Sequence, residues 1–177
     1  GIHTNEFAKN NSVIGIDLKE VVNKYQQSYN FPCYVWNVNN ALFLDDAERG
    51  MVAYFDGLST TNITIQSSSL NLADEMSVSL WIKIDGNSEQ NYKTIVRRGT
   101  YIYPFSVQLE GLPALYQIRT GVRSTGSVDY LSSTNMLSSS TWHHVVLTYK
   151  SGERKIYIDG TENITDPTPP TGNLNAA

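Results

Sequence analysis

The carboxylates are the first candidates for chemistry. Hydrolysis of a glycosidic bond needs two carboxyl groups flanking the bond, roughly 5 to 9 Å apart. A strand supplies such a pair from alternate positions, because side chains return to one face every second residue. Asp45-Asp46 and Asp74-Glu75 are adjacent pairs instead, and on strands each pair would split across two faces. No Glu-x-Asp-x-x-Glu run occurs. The histidine pair His143-His144 meets the same objection as a metal grip, since neighbouring strand residues diverge. One imidazole is expected partly buried beside Trp142 and the other exposed. Cys33 is the single cysteine, with no evident histidine partner. It reads as a small buried apolar residue rather than a nucleophile. No Gly-x-Ser-x-Gly elbow and no phosphate-binding loop are present. The chain is therefore expected not to be an enzyme.

Two binding chemistries survive. Calcium takes oxygen ligands from loops, and Asp56 and Asp159 both sit in Asp-Gly turns. Aspartate is also at home in such turns for local hydrogen bonding alone. The second chemistry is sugar recognition, in which an aromatic ring covers an apolar C–H face and planar polar groups fix the hydroxyls. The stretch from Arg97 to Tyr130 supplies both kinds of group. Tyr101, Tyr103 and Tyr130 lie beside turn signals, Arg98, Arg119 and Arg123 offer forked donors, and Asn91 and Asn135 offer amides. Such guanidinium groups also suit a carboxylate-bearing sugar.

Composition narrows the partners. The 177 residues are 40% hydrophobic and only 17% charged, with a net charge of -4 and a pI near 5.3. That hydrophobic share makes a core, and the low charge leaves a surface rich in Ser, Thr and Asn. Arg97-Arg98 is the densest basic pair, too little for nucleic acid or an anionic membrane surface. No apolar run approaches the roughly 18 residues a membrane-spanning helix needs. One cysteine permits no internal disulfide. Glycosylation triplets at Asn10, Asn62 and Asn163 carry little weight in such a composition. The start at Gly1, with no signal-peptide pattern, reads as a processed or trimmed chain.

The elements that must position these groups are almost all strands. Residues 1–49 read as an N-terminal helix and linker. Ile14, Leu18, Val21, Val22 and Tyr25 share a helical face, and Phe31-Pro32 ends the run. CYVWNV alternates like a strand, while ALFLDDAERG suits either a strand or a short helix. From residue 50 onward the chain alternates with period two. MSVSLWIKI is the clearest case: Val78, Leu80, Ile82 and Ile84 face one way, and Ser77, Ser79, Trp81 and Lys83 the other. Similar runs follow to RKIYI, which closes at Asp159-Gly160. Their spacing predicts an all-β antiparallel sandwich. The tail TDPTPPTGNLNAA reads as loop.

The order AYFDG, SLNLADEMSVSLWIKID, TIVRRG and TWHHVVLTYKSGERKIYIDG resembles the laminin-G-like family of the concanavalin A-like lectin/glucanase superfamily. The resemblance covers about residues 50 to 165. It implies a jelly-roll β-sandwich over residues 50–177, places Trp81 and Trp142 in the core, and makes bound Ca2+ an expectation. Family domains usually continue beyond the YIDG hairpin, so further strands are expected to be missing. Three explanations compete: the chain is cut short there, CYVWNV fills the gap, or a strand from another protein chain completes the fold. The function expected is a secreted or cell-surface glycan-binding adhesion module. The rival is a structural or assembly subunit of a surface filament, such as a modular pilin, or of a virion.

Overall fold

A computed structural model describes residues 14–17, 35–66, 75–84, 92–99, 104–112, 115–124, 127–172 and 174. Within them every strand pairing is antiparallel and no helix occurs. The larger sheet is built around β6 (Glu75–Lys83) and β11 (Trp142–Lys150), which pair along nine positions from Trp142 opposite Lys83 to Lys150 opposite Glu75. Beyond β11 lie β12 (Glu153–Ile158) and β13 (Thr161–Thr165). Beyond β6 lie β1 (Ile14–Asp17), β4 (Gly50–Phe55) and β3 (Leu42–Asp46). The smaller sheet runs β10 (Asp129–Ser132), β9 (Leu115–Val122), β8 (Phe105–Leu112), β7 (Lys93–Arg97). A separate ribbon joins β2 (Val35–Asn39) to β5 (Asn62–Gln66).

Alternation decides which faces meet. Leu80 and Ile82 of β6, Val107 and Leu109 of β8, Ile118 and Val122 of β9, Val145 and Leu147 of β11, and Ile156 of β12 form one buried cluster. Strands β6, β8, β9, β11 and β12 thus turn an apolar face inward. Leu174 also joins the cluster, so the proline-rich tail, read as loop, returns to seal the core. Arg154 lies among the inward positions of β12 at 1% exposure. Its guanidinium bonds Asp166 and both the side chain and the carbonyl of Asp129, tying the larger sheet to the start of β10. The hairpin from β12 to β13 turns on Asp159 and Gly160, both at positive φ (52° and 79°). Asp-Gly tolerates that geometry, which matches the twist of the strands it joins.

One expectation meets a different outcome. Ile14–Asp17, read as the beginning of a helix, is a strand paired to both β4 and β6. Two flanking ladders satisfy its backbone, and non-local pairing overrides local helix preference. The rest of the expected helix lies outside the described residues. β2, from the CYVWNV run that alternates like a strand, pairs with β5. ALFLDDAERG, which suits either a strand or a short helix, takes the first alternative as strand β3 followed by a turn. In that turn Asp46 accepts the N–H groups of Glu48 and Arg49.

Candidate functional site

The outer face of the four-stranded sheet gathers the groups suited to binding. Register places Ser132 beside Arg119 and Arg119 beside Gln108. The next row sets Tyr130 beside Gly121, Gly121 beside Ser106, and Ser106 beside Arg97. Long side chains reach across these rows. The Arg119 guanidinium lies 3.8 Å from the ring centroid of Tyr130 and 4.6 Å from that of Tyr92. Both rings remain open to solvent, Tyr92 at 51% and Tyr130 at 41%. Glu110 stands 3.8 Å from Arg119 and accepts a 2.6 Å hydrogen bond from the Ser132 hydroxyl. The result is a flat patch with two aromatic rings, a cation stacked on them and a carboxylate at its side. Cation–π contact holds the guanidinium against the rings.

Gly121 is essential to this arrangement. A Cβ there would stand 2.8 Å from Ser106 Oγ, 2.9 Å from Tyr130 Cε1 and 3.0 Å from Val128 Cγ1. The missing side chain lets the Tyr130 ring lie across β9 toward Ser106.

Of the residues singled out from sequence, the structure brings Arg119 and Tyr130 together. Arg98 and Arg123 follow the ends of β7 and β9, where their N–H groups bond the carbonyls of Phe105 and Pro104. Asn135 is exposed beyond β10, its carbonyl accepting from Ser133 Oγ. Tyr101, Tyr103 and Asn91 lie outside the described residues. Tyr92, Glu110, Ser132 and Gly121 were not foreseen. The alternation of Ser106, Gln108 and Glu110 along β8 was the available signal for Glu110.

The two aspartates considered for calcium both accept hydrogen bonds from the protein, Asp56 within its own turn and Asp159 from β11. Asp56 Oδ1 accepts the Leu58 N–H at 2.9 Å. Asp159 accepts the His144 N–H at 2.8 Å and contacts His143 Nδ1 at 2.8 Å. Burial alone would raise the Asp159 pKa, but the bonds from His143 and from the His144 N–H hold it below the usual value. The histidines diverge as alternation requires: His143 also meets Ser138, while His144 stacks on Trp81 and bonds Ser79. Among the described residues no group of three or more His, Cys, Asp or Glu side chains is placed to hold a metal ion.

The tryptophans need a correction. Trp81 is not in the sandwich core. It shares the outward face of β6 with Ser79 and Lys83, covered by the Arg49 guanidinium 3.2 Å from its ring centroid and by His144. Core placement fails because Leu80 and Ile82 already occupy the inward positions. Trp142 is buried, and its indole N–H donates to Asp46 at 3.0 Å. Lys83 completes that clasp, 2.5 Å from Asp46.

Domain 4 of AbnA, a GH43 extracellular arabinanase from Geobacillus stearothermophilus, solved in complex with arabinotriose, matches with a TM-score of 0.51. Identity is 17%, over 93% of this chain and 80% of that one. The carbohydrate binding module CBM66 from Bacillus subtilis matches with a TM-score of 0.43 and 17% identity, over 78% of this chain and 82% of that one. A conserved carbohydrate esterase from Shiga toxin-encoding bacteriophage phi24B matches with a TM-score of 0.46 and 10% identity, over 94% of this chain and 85% of that one. No curated protein matches the sequence. The family described as Laminin_G_3, of the concanavalin A-like lectin/glucanases superfamily, matches residues 55–177. With most of its length matched and two antiparallel sheets closed on one core, this chain belongs to that family.

Proposed function

We propose that the chain is a non-catalytic carbohydrate-binding module, working outside the cell or at its surface, whose ligand lies on the outer face of the four-stranded sheet. The observation that supports it is the Arg119 guanidinium stacked over two exposed tyrosine rings. A sugar ring presents an apolar C–H face to such rings, and its hydroxyls meet the flanking guanidinium and carboxylate. The pairing of Arg119 with Glu110 leaves the patch without a large excess of either sign, which favours a neutral oligosaccharide. Domain 4 of the arabinanase, solved with arabinotriose, makes that trisaccharide the first probe.

The test is calorimetric titration with arabinotriose, followed by a panel of neutral and acidic oligosaccharides. Wild type should bind at least one member. Arg119→Ala and Tyr92→Ala should each weaken that binding about tenfold, the worth of roughly 1.4 kcal/mol of lost stacking and hydrogen bonding. Repeating the titration with calcium and then with chelator tests the metal expectation. Binding that ignores both substitutions would place the ligand elsewhere, and a blank panel from folded protein would end the reading.

A further inference from the structure

The row Tyr130–Gly121–Ser106 holds a feature that stacking does not explain. Ser106 is fully buried, and its hydroxyl has no hydrogen-bond partner among the described residues. Its neighbours Phe105 and Val107 point into the core, so Ser106 points to the outer face, toward the patch. Beside it, the Tyr130 ring lies at Gly121: Ser106 Oγ, Tyr130 Cε1 and Val128 Cγ1 all crowd the place where a Cβ of Gly121 would stand. A buried hydroxyl without a partner is disfavoured, and native structures seldom tolerate one without a reason.

We propose that Ser106 Oγ is the floor of a subsite for a sugar hydroxyl or hydroxymethyl group, and that Tyr130 covers it until ligand arrives. This rests on the reading of the outer face as a carbohydrate site. Three observations converge on it. Tyr130 stands on β10, the edge strand of its sheet, and its ring is 41% exposed, so an outward swing meets solvent. The ring is retained in its covering position by Arg119, a group that a ligand on the patch would itself engage. Gly121 puts no side chain between Ser106 and the ring; with the ring in place that spot is closed by Ser106, Tyr130 and Val128 at 2.8 to 3.0 Å, and room for a hydroxymethyl group opens only when the ring moves. A carboxylate suits this floor poorly, because Ser106 offers one small hydroxyl and no charge. The ligand class is therefore a neutral sugar with a protruding primary or secondary alcohol.

The experiment compares wild type, Ser106→Ala, Arg119→Ala and Tyr92→Ala in two measurements. The first is thermal unfolding. Ser106→Ala should keep or raise Tm, since it removes an unpartnered polar group; a clear fall in Tm would mean that the hydroxyl has a structural partner, and would overturn the proposal. The second is calorimetric titration with arabinotriose and the same oligosaccharide panel, with the Tyr130 ring resonances followed by NMR. Ser106→Ala should weaken binding about tenfold, one hydrogen bond's worth, and the Tyr130 ring signals should shift on saturation of wild type. If Arg119→Ala and Tyr92→Ala lose affinity while Ser106→Ala does not, the face binds sugar but the subsite is refuted. If wild type binds nothing on the panel, or binds with no dependence on Arg119 or Tyr92, both readings fall together.

Discussion

Replacing Asp46 by Asn tests how the N-terminal part of the larger sheet is held to its centre. Asp46 ends β3, at the edge of the sheet, yet its carboxylate receives the Trp142 indole and the Lys83 ammonium from the two central strands. It also closes its own turn through the Glu48 and Arg49 N–H groups. Burial alone would raise its pKa, but the Lys83, Glu48, Trp142 and Arg49 hydrogen bonds together bring it down to about 2 from the usual 3.8. Each tenfold change in proton affinity corresponds to roughly 1.4 kcal/mol, so the clasp contributes about 2 kcal/mol near neutral pH. The side chain is 13% exposed but stands on the edge strand, so solvent screening makes that figure an upper value. The folded-state pKa is the lower one. The contribution is therefore complete above about pH 5 and is lost as pH falls through 3.8 toward 2. Urea unfolding of wild type and Asp46→Asn near pH 7 should differ by up to about 2 kcal/mol, and the gap should close near pH 2. Subtracting the variant removes the other acid groups that titrate in the same window, Asp159 among them. Equal stability at neutral pH, or a gap that persists in acid, would refute the reasoning.

Other changes probe other parts of the molecule. Arg154→Ala strips the partner from Asp166, which is itself buried, and should cost about 3 to 5 kcal/mol in chemical denaturation. Asp159→Ala loses two hydrogen bonds and forces alanine to positive φ, for a loss of about 2 kcal/mol; Asp159→Asn, which tolerates that φ and still accepts, should recover most of it. Gly121→Ala should displace the Tyr130 ring, costing about 1 to 2 kcal/mol by overpacking and moving the Tyr130 NMR signals. Unchanged signals in that variant would mean the backbone, not the ring, gives way.

Some of this protein is legible in one dimension. The alternation from Met76 to Ile84 predicts which of its residues reach the core, and the buried cluster contains Leu80, Ile82 and Ile84 as that pattern requires. The same alternation separates His143 from His144 and argues against a shared metal. Asp-Gly at 159–160 marks a hairpin because two successive positive φ values need those residue types. These are local statements, made by period and by backbone sterics within a few residues.

The site is another matter. Arg119 and Tyr130 could be named as candidates, but nothing near them in sequence indicates that Tyr92 reaches the same guanidinium. That depends on β7, β8, β9 and β10 lying in order at the observed register, and a one-residue slip in any of them would turn its side chains to the other face. The covering of Ser106 depends in turn on a glycine one strand away. The fate of Ile14–Asp17 was settled by the same physics. Its residues suit a helix locally, but two neighbouring strands offer its backbone more hydrogen bonds than a marginal helix does. From Gly50 onward, sequence alone determined where the main strands lie and which face of the clearest of them is apolar, because those follow from short-range periodicity. Tertiary structure decided which strands are neighbours, and so which polar residues meet, because pairing is set by contacts between residues far apart in the chain.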